Sequence, residues 1–228
     1  MAARVEPGSP TGLRLFLDTA DRKAYERWLP TGLFHGVTTN PTILERSSLR
    51  SDVSVLASLV EAALRHPIRE VQAQCWGTET RRLVETGRAL AAIDPRVVVK
   101  VPVTEDGIRA VREFHALGIR TTVTAVYASH QALTAAAAGA DYVAPYFGRI
   151  NDGGRDGLAV MAEMRAVLAT AGNRTRLLVA SLRNADDVAR LAAAGCDTFT
   201  FGTAVAEGLF ADADSAAASR AFEEAAAR

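Results

Sequence analysis

From Leu13 onward the chain alternates short apolar runs with longer amphipathic ones, and the alternation continues until the last thirty residues. No other feature constrains the fold as strongly. Strands separated by helix-length segments cannot pair as hairpins, so they must lie parallel, with each helix crossing back over the sheet. Strands are expected at 13–18, 35–38, 71–75, 96–103, 119–124, 142–145, 177–181 and 198–201. Helices are expected at 19–29, after a Ser51-Asp52 cap, at 78–92, after Thr104, at 129–138, at 158–170, after Asn184, and in the alanine-rich tail from Asp212. Asn40-Pro41 reads as a turn, and 149–157 reads as a glycine-rich loop. Eight strands and eight helices in 228 residues fit a single (β/α)8 TIM barrel over 13–228, preceded by a disordered lead-in at 1–12. An open doubly wound sheet would share the alternation. It would normally carry a glycine fingerprint after the first strand, and Leu17-Asp18-Thr19-Ala20 holds no glycine.

Charge narrows the partners. A formal net charge of +0 and a pI near 6.9 leave no electrostatic footprint for nucleic acid or an anionic membrane surface. No apolar run approaches the roughly 18 residues that a membrane span needs. Cys75 and Cys196 lie far apart beside apolar segments, which suits reduced thiols and a cytoplasmic location. A small molecule is the expected partner.

The fourth expected strand carries a lysine inside the run Arg96-Val97-Val98-Val99-Lys100-Val101-Pro102-Val103. The 26 basic residues are 24 arginines and only two lysines, Lys23 and Lys100. An ammonium within a buried strand needs partners or a chemical task. As a free amine it attacks carbonyl carbon, but its ordinary pKa of roughly 10.4 must first fall, and bringing it near neutrality costs on the order of 4 kcal/mol. Burial supplies that. The other reading is a lysine paired with Asp18 for stability. Position alone leaves the two about even, and the scarcity of lysine tilts the balance modestly toward chemistry.

A TIM barrel collects its functional groups at the C-terminal ends of its strands. Those ends offer Asp18, Thr38 with Asn40, Gln74, Lys100, Thr124, Tyr146 with Arg149, and Ser181, whereas the eighth, at Phe201-Gly202, offers little. Gln72, two residues before Gln74, shares its strand face, so either glutamine fits the register. Asp18 and Tyr146 are candidates for proton transfer beside the amine. The run Arg149 to Gly157 resembles a phosphate cradle, although such loops more often only turn the chain. Metal chemistry would want clustered ligands, and His35, His66, His115 and His130 are scattered, with His35 expected on the wrong face of the barrel. An enzyme built on pyridoxal phosphate would also use a strand lysine, and the residues alone leave that alternative open.

Five ordered motifs carry a further message. They are Leu17-Asp18-Thr19-Ala20, Gly36-Val37-Thr38-Thr39-Asn40-Pro41-Thr42, Val98-Val99-Lys100-Val101-Pro102-Val103-Thr104, Thr124-Ala125-Val126-Tyr127, and Tyr142-Val143-Ala144-Pro145-Tyr146 through Arg149. Together they resemble the transaldolase family, and within it the small fructose-6-phosphate aldolase type. The resemblance implies that Lys100 forms a Schiff base, that Asp18 moves protons, and that Thr38 and Asn40 hold substrate hydroxyls. It places Gln74, Thr124 and Tyr146 around a catalytic water, and Ala144, Arg149 and Ser181 among the substrate-binding positions, with Arg183 a weaker phosphate candidate. It further implies sugar phosphate and dihydroxyacetone-type substrates, no metal or organic cofactor, and a homo-oligomer, pentamer or decamer. A glutamine and tyrosine in this set resemble the aldolase, whereas transaldolases carry glutamate and phenylalanine there. The activity the resemblance implies is therefore reversible cleavage of fructose 6-phosphate to dihydroxyacetone and glyceraldehyde 3-phosphate, with transaldolase transfer as the alternative and a non-catalytic sugar-phosphate-binding barrel after it. The Gly148-Arg149 pair looks more like the small transaldolases, and the family's proline near Gly202 and its longer aromatic tail are missing.

Overall fold

The computed structural model describes residues 12–170 and 175–228, so the expected lead-in, apart from Gly12, lies outside the described residues. Eight parallel strands close into a barrel in chain order: β1 (Arg14–Asp18), β2 (Phe34–Thr38), β3 (Glu70–Gln74), β4 (Val97–Pro102), β5 (Thr121–Val126), β6 (Tyr142–Pro145), β7 (Arg176–Val179) and β8 (Thr198–Phe201). The (β/α)8 expectation holds. Strand periodicity of two explains the sequence pattern, because each strand is covered on both faces. Leu17, Val37, Val71, Val99, Val101, Val123, Val143, Val179 and Phe199 belong to the large outer core under the helices. Phe16, Val98, Tyr142, Ala144 and Leu178 form a separate cluster inside the barrel. Each large aliphatic side chain buried this way contributes about 1.5–3 kcal/mol. Gly36 makes room for the inner cluster, since a Cβ there would sit 2.9 Å from the Phe16 ring and 2.2 Å from the Glu70 carbonyl oxygen.

The covering helices begin where polar residues cap them. Asp52 accepts from the Ser54 amide at the start of α3 (Val53–Leu64), Thr104 from Gly107 at the start of α5 (Glu105–Ala116), and Asn184 from Asp187 at the start of α9 (Ala185–Ala193). The remaining long helices are α1 (Arg22–Trp28), α4 (Thr80–Ala91), α6 (Ser129–Ala138), α8 (Gly157–Thr170) and α11 (Ala213–Ala226). Three further helices lie outside the expected set, the first two standing where the sequence reads as a turn and a loop: α2 (Pro41–Arg46), α7 (Phe147–Asp152) and α10 (Thr203–Gly208). Each has six residues, under two turns, too few for helical periodicity to show in sequence. They follow β2, β6 and β8, so all three stand on the rim that holds the site. Asn40-Pro41 is no simple turn: Asn40 caps α2 by accepting from the Ile43 amide, and Pro41 occupies the first helical position.

The N-terminal end of the barrel is closed by an ionic cluster. Glu70, at the start of β3, is 4% exposed and accepts from Arg120 at 2.6 Å and from the Tyr142 hydroxyl at 2.9 Å. Arg14 lies 3.8 Å from it and donates to the Tyr142 hydroxyl. His35, which falls inside β2, points here with Nε2 3.6 Å from the same carboxylate, at the end of the barrel away from the site. Burial would raise the Glu70 pKa, but His35, Arg120 and Tyr142 outweigh it and hold the carboxyl down at about 2. Cys75 and Cys196 are both free and buried.

Candidate active site

At the opposite end, a cavity of ≈ 410 Å³ opens among the C-terminal strand ends. Lys100 reaches it from β4 and is 4% exposed. Strand register places the amine: Gln74 on β3 pairs with Lys100, which pairs with Thr122 on β5. Burial lowers the pKa of Lys100, and the nearby charge of Asp18 acts in the opposite direction. Burial likewise raises the pKa of Asp18, against the lowering influence of Lys100, Thr38 and Arg46. Both charged forms are disfavoured by the same desolvation, so each group is brought nearer to the range where it can exchange protons at neutral pH.

A hydroxyl chain orients Asp18. The Thr38 Oγ1 donates to Asp18 Oδ1 at 2.6 Å and lies 2.5 Å from Thr200 Oγ1. A hydroxyl has one hydrogen, and that of Thr38 is committed to the carboxylate, so Thr200 donates to Thr38. Thr200 sits on β8 and lines the cavity, which corrects the expectation that the eighth strand contributes little. The signal was present in sequence: alternation in Thr198-Phe199-Thr200-Phe201 turns both threonines to the face opposite the phenylalanines.

Gln74 lines the cavity, whereas Gln72 is fully buried one layer below and accepts from Thr122 Oγ1 at 2.8 Å. Thr124 is buried on β5 with Oγ1 3.2 Å from the Tyr146 hydroxyl. Tyr146 lines the cavity, and burial raises the pKa of its phenol. Its ring stands edge-on to Tyr127 at 5.6 Å and beneath the Arg149 guanidinium at 5.1 Å. Arg149 projects from α7 into the cavity and donates weakly to the Tyr127 hydroxyl at 3.4 Å. A short helix presents this arginine where a glycine-rich loop was expected, and Gly153 and Gly154 do not line the cavity.

Ser181 and Arg183 complete the wall after β7. Ser181 has a left-handed backbone with φ 61, an uncommon state for a residue with a Cβ. Its carbonyl accepts from the Gly148 amide, and a Cβ at Gly148 would lie 2.2 Å from that oxygen, so only glycine lets α7 approach β7 this closely. Arg183 is paired with Asp152. Asn40 lines the opposite wall, with its carbonyl spent on the α2 cap and only its NH2 left to donate. Of the expected set, Thr38, Thr124 and Ala144 do not line the cavity. Thr38 acts from beneath through Asp18, Thr124 through Tyr146, and Ala144 is buried in the inner barrel cluster. Among the described residues, no three His, Cys, Asp or Glu side chains gather as a metal site.

A closed parallel barrel with a desolvated amine and a desolvated carboxyl in one polar cavity at its C-terminal mouth is the architecture of a (β/α)8-barrel enzyme. A sequence profile described as "Transaldolase/Fructose-6-phosphate aldolase" matches residues 15–228, and the chain belongs to that family. It is 39% identical over 198 residues to a "Probable transaldolase" of Phenylobacterium zucineum (strain HLK1), covering 87% of this chain and 89% of the relative. It is 40% identical, with the same coverage, to a "Probable transaldolase" of Caulobacter sp. (strain K31). A third protein of that name, from Moorella thermoacetica, is 37% identical over 82% of this chain and 85% of its own length.

Proposed function

We propose that the protein is a Schiff-base transaldolase, moving a dihydroxyacetone unit from a ketose phosphate to an aldose phosphate by way of Lys100. The observation that carries this reading is the buried Lys100 amine sharing one cavity with Asp18. As a free amine, Nζ adds to the ketose carbonyl, and loss of water leaves an iminium. Asp18 then takes the proton of the hydroxyl two carbons away, the bond between that hydroxyl's carbon and the carbon next to the iminium breaks, its electron pair forms the enamine, and the aldehyde departs. Arg149 and Ser181 hold the phosphate on the β6 and β7 side. Asn40 donates to substrate hydroxyls from the β2 side. The enamine left on Lys100 waits for a second aldehyde, and reversal of the same steps releases the new sugar. The names borne by the relatives favour this fate.

A second reading, cleavage of fructose 6-phosphate to free dihydroxyacetone and glyceraldehyde 3-phosphate, is favoured by one observation. The Tyr146 hydroxyl, bonded to Thr124 across the cavity from Gln74, offers a proton donor that can quench the enamine. One assay separates the two. Transfer requires that free dihydroxyacetone stay undetectable from fructose 6-phosphate alone, and that erythrose 4-phosphate start turnover, giving glyceraldehyde 3-phosphate and a seven-carbon ketose phosphate. Release without an acceptor decides for cleavage. Borohydride trapping in the presence of either substrate should add mass at Lys100, and an unmodified Lys100 refutes both.

A further inference from the structure

The chain keeps two lysines, and the proposed chemistry uses only one. Lys23 lines a second cavity, of ≈ 770 Å³, between the start of α1 and the segment running from the end of α2 into α3. Arg46 lines both this cavity and the catalytic one, so the two adjoin across a single side chain. The polar lining is Arg22, Lys23 and Arg46 with Ser47, Ser54 and Ser58, against the single acid Asp21. Asp21 is occupied as the α1 cap, accepting from the Lys23 amide. Arg22 donates to Ser58 at 2.5 Å. Among the described residues, neither the Lys23 ammonium nor the Arg46 guanidinium makes a salt bridge or a side-chain hydrogen bond, although the Arg46 charge also acts on Asp18 in the catalytic cavity. Three exposed cations and one acid give the lining a formal charge of +2, with the Arg46 charge shared with Asp18. The floor is apolar, made by Ala20, Leu49, Val55 and Leu59.

We propose that this cavity is a second phosphate site, one that binds a dianionic phosphate beside the catalytic cavity. A phosphate monoester carries about −1.5 to −2 at neutral pH, which matches the lining charge, and its three oxygens accept from several donors at once. A carboxylate would satisfy fewer of these donors. The apolar floor suits the carbon chain of an ester, so a sugar phosphate fits the whole site and inorganic phosphate fits only its rim. With both cavities filled, one phosphate compound lies next to another across Arg46.

Titration calorimetry with glucitol 6-phosphate, which has no carbonyl and cannot form an imine, tests the site without turnover. Its failure is therefore distinguishable from failure of the Lys100 chemistry. The wild-type chain should bind two equivalents. Arg149→Ala should lose one, and the double variant Arg22→Ala, Lys23→Ala should lose the other, with far-ultraviolet circular dichroism confirming that it is folded. Lys23→Glu, which keeps the Arg22–Ser58 bond, is the second variant and should weaken the second equivalent by at least about tenfold. A single equivalent abolished by Arg149→Ala, or two equivalents untouched by the Lys23 and Arg22 changes, overturns the proposal. Repeating the titration with inorganic phosphate identifies the source. Equal affinity at the second site assigns it to free phosphate, and an affinity for the ester at least tenfold higher assigns it to the sugar phosphate.

Discussion

Asp18 at the top of β1 and Glu70 at the bottom of β3 are desolvated carboxyls within one barrel, yet burial prevails at the first and is overcome at the second. Glu70 sits among Arg14, Arg120, His35 and the Tyr142 hydroxyl, all fixed by strands that meet at the base. Asp18 receives one hydroxyl and shares its cavity with an amine whose own charged form burial disfavours. The same fold therefore makes one carboxyl a permanent anion and the other an exchangeable one. The difference lies in how many donors the register delivers, and it separates the end that holds the barrel together from the end equipped for chemistry.

The comparison breaks first at Lys100. Lys100→Met should lower turnover by at least about 10⁴-fold and abolish the borohydride adduct seen by mass spectrometry. It should also raise the melting temperature, because a methionine of similar shape removes a desolvated amine. At the base the outcome inverts. Glu70→Ala should cost about 1–3 kcal/mol in urea unfolding, by leaving the Tyr142 hydroxyl and the half-buried Arg14 and Arg120 without their shared acceptor, while the folded fraction keeps its turnover. The pH dependence follows from the sign of the shift. With the folded pKa near 2 and the ordinary value at 4.5, the stability from Glu70 is present above pH 4.5 and is lost as the pH falls toward 2. The urea midpoint of the wild-type chain should fall through that window, and Glu70→Gln should flatten the fall.

Asp18 carries the opposite sign. Its folded pKa is raised, so its contribution is present below the unfolded value and is lost as the pH rises above it. Asp18→Asn should therefore stabilise the chain at pH 7 while lowering turnover about 10²-fold in steady-state assays. The smallest effect is expected at Thr200. Thr200→Val removes the hydroxyl that donates to Thr38 and should reduce kcat about threefold, with a loss of about 1 kcal/mol in unfolding. An unchanged pH–rate profile in that variant would show that the hydroxyl chain does not tune Asp18.

Sequence alternation was enough to specify the barrel, because strands buried on both faces leave continuous apolar runs that a 3.6 period cannot imitate. The mouth was legible at Asp18, Asn40, Gln74, Lys100, Tyr146, Arg149 and Ser181, which line one cavity although they come from six strand ends. What escaped were features set by register or by short range. Gln72 and Gln74 share a strand face, and only the depth of each in the barrel separates the interior residue from the one on the wall. Thr200 was hidden beside Gly202, and α2 and α7 are too short to show a period. The ionic base escaped entirely. Its members are spaced along 14–142 in sequence and meet only when the barrel closes.

The hydroxyl chain beneath Asp18 makes the two oxygens of that carboxylate unequal. Oδ1 already accepts from Thr38, whose own oxygen is occupied by Thr200. A proton on the Oδ1 lone pair that Thr38 uses would turn both threonine rotors over, whereas Oδ2 can take one with the floor undisturbed. In the proposed chemistry Oδ2 is then the oxygen left to meet a substrate hydroxyl, selected by two threonines of which the nearer does not line the cavity.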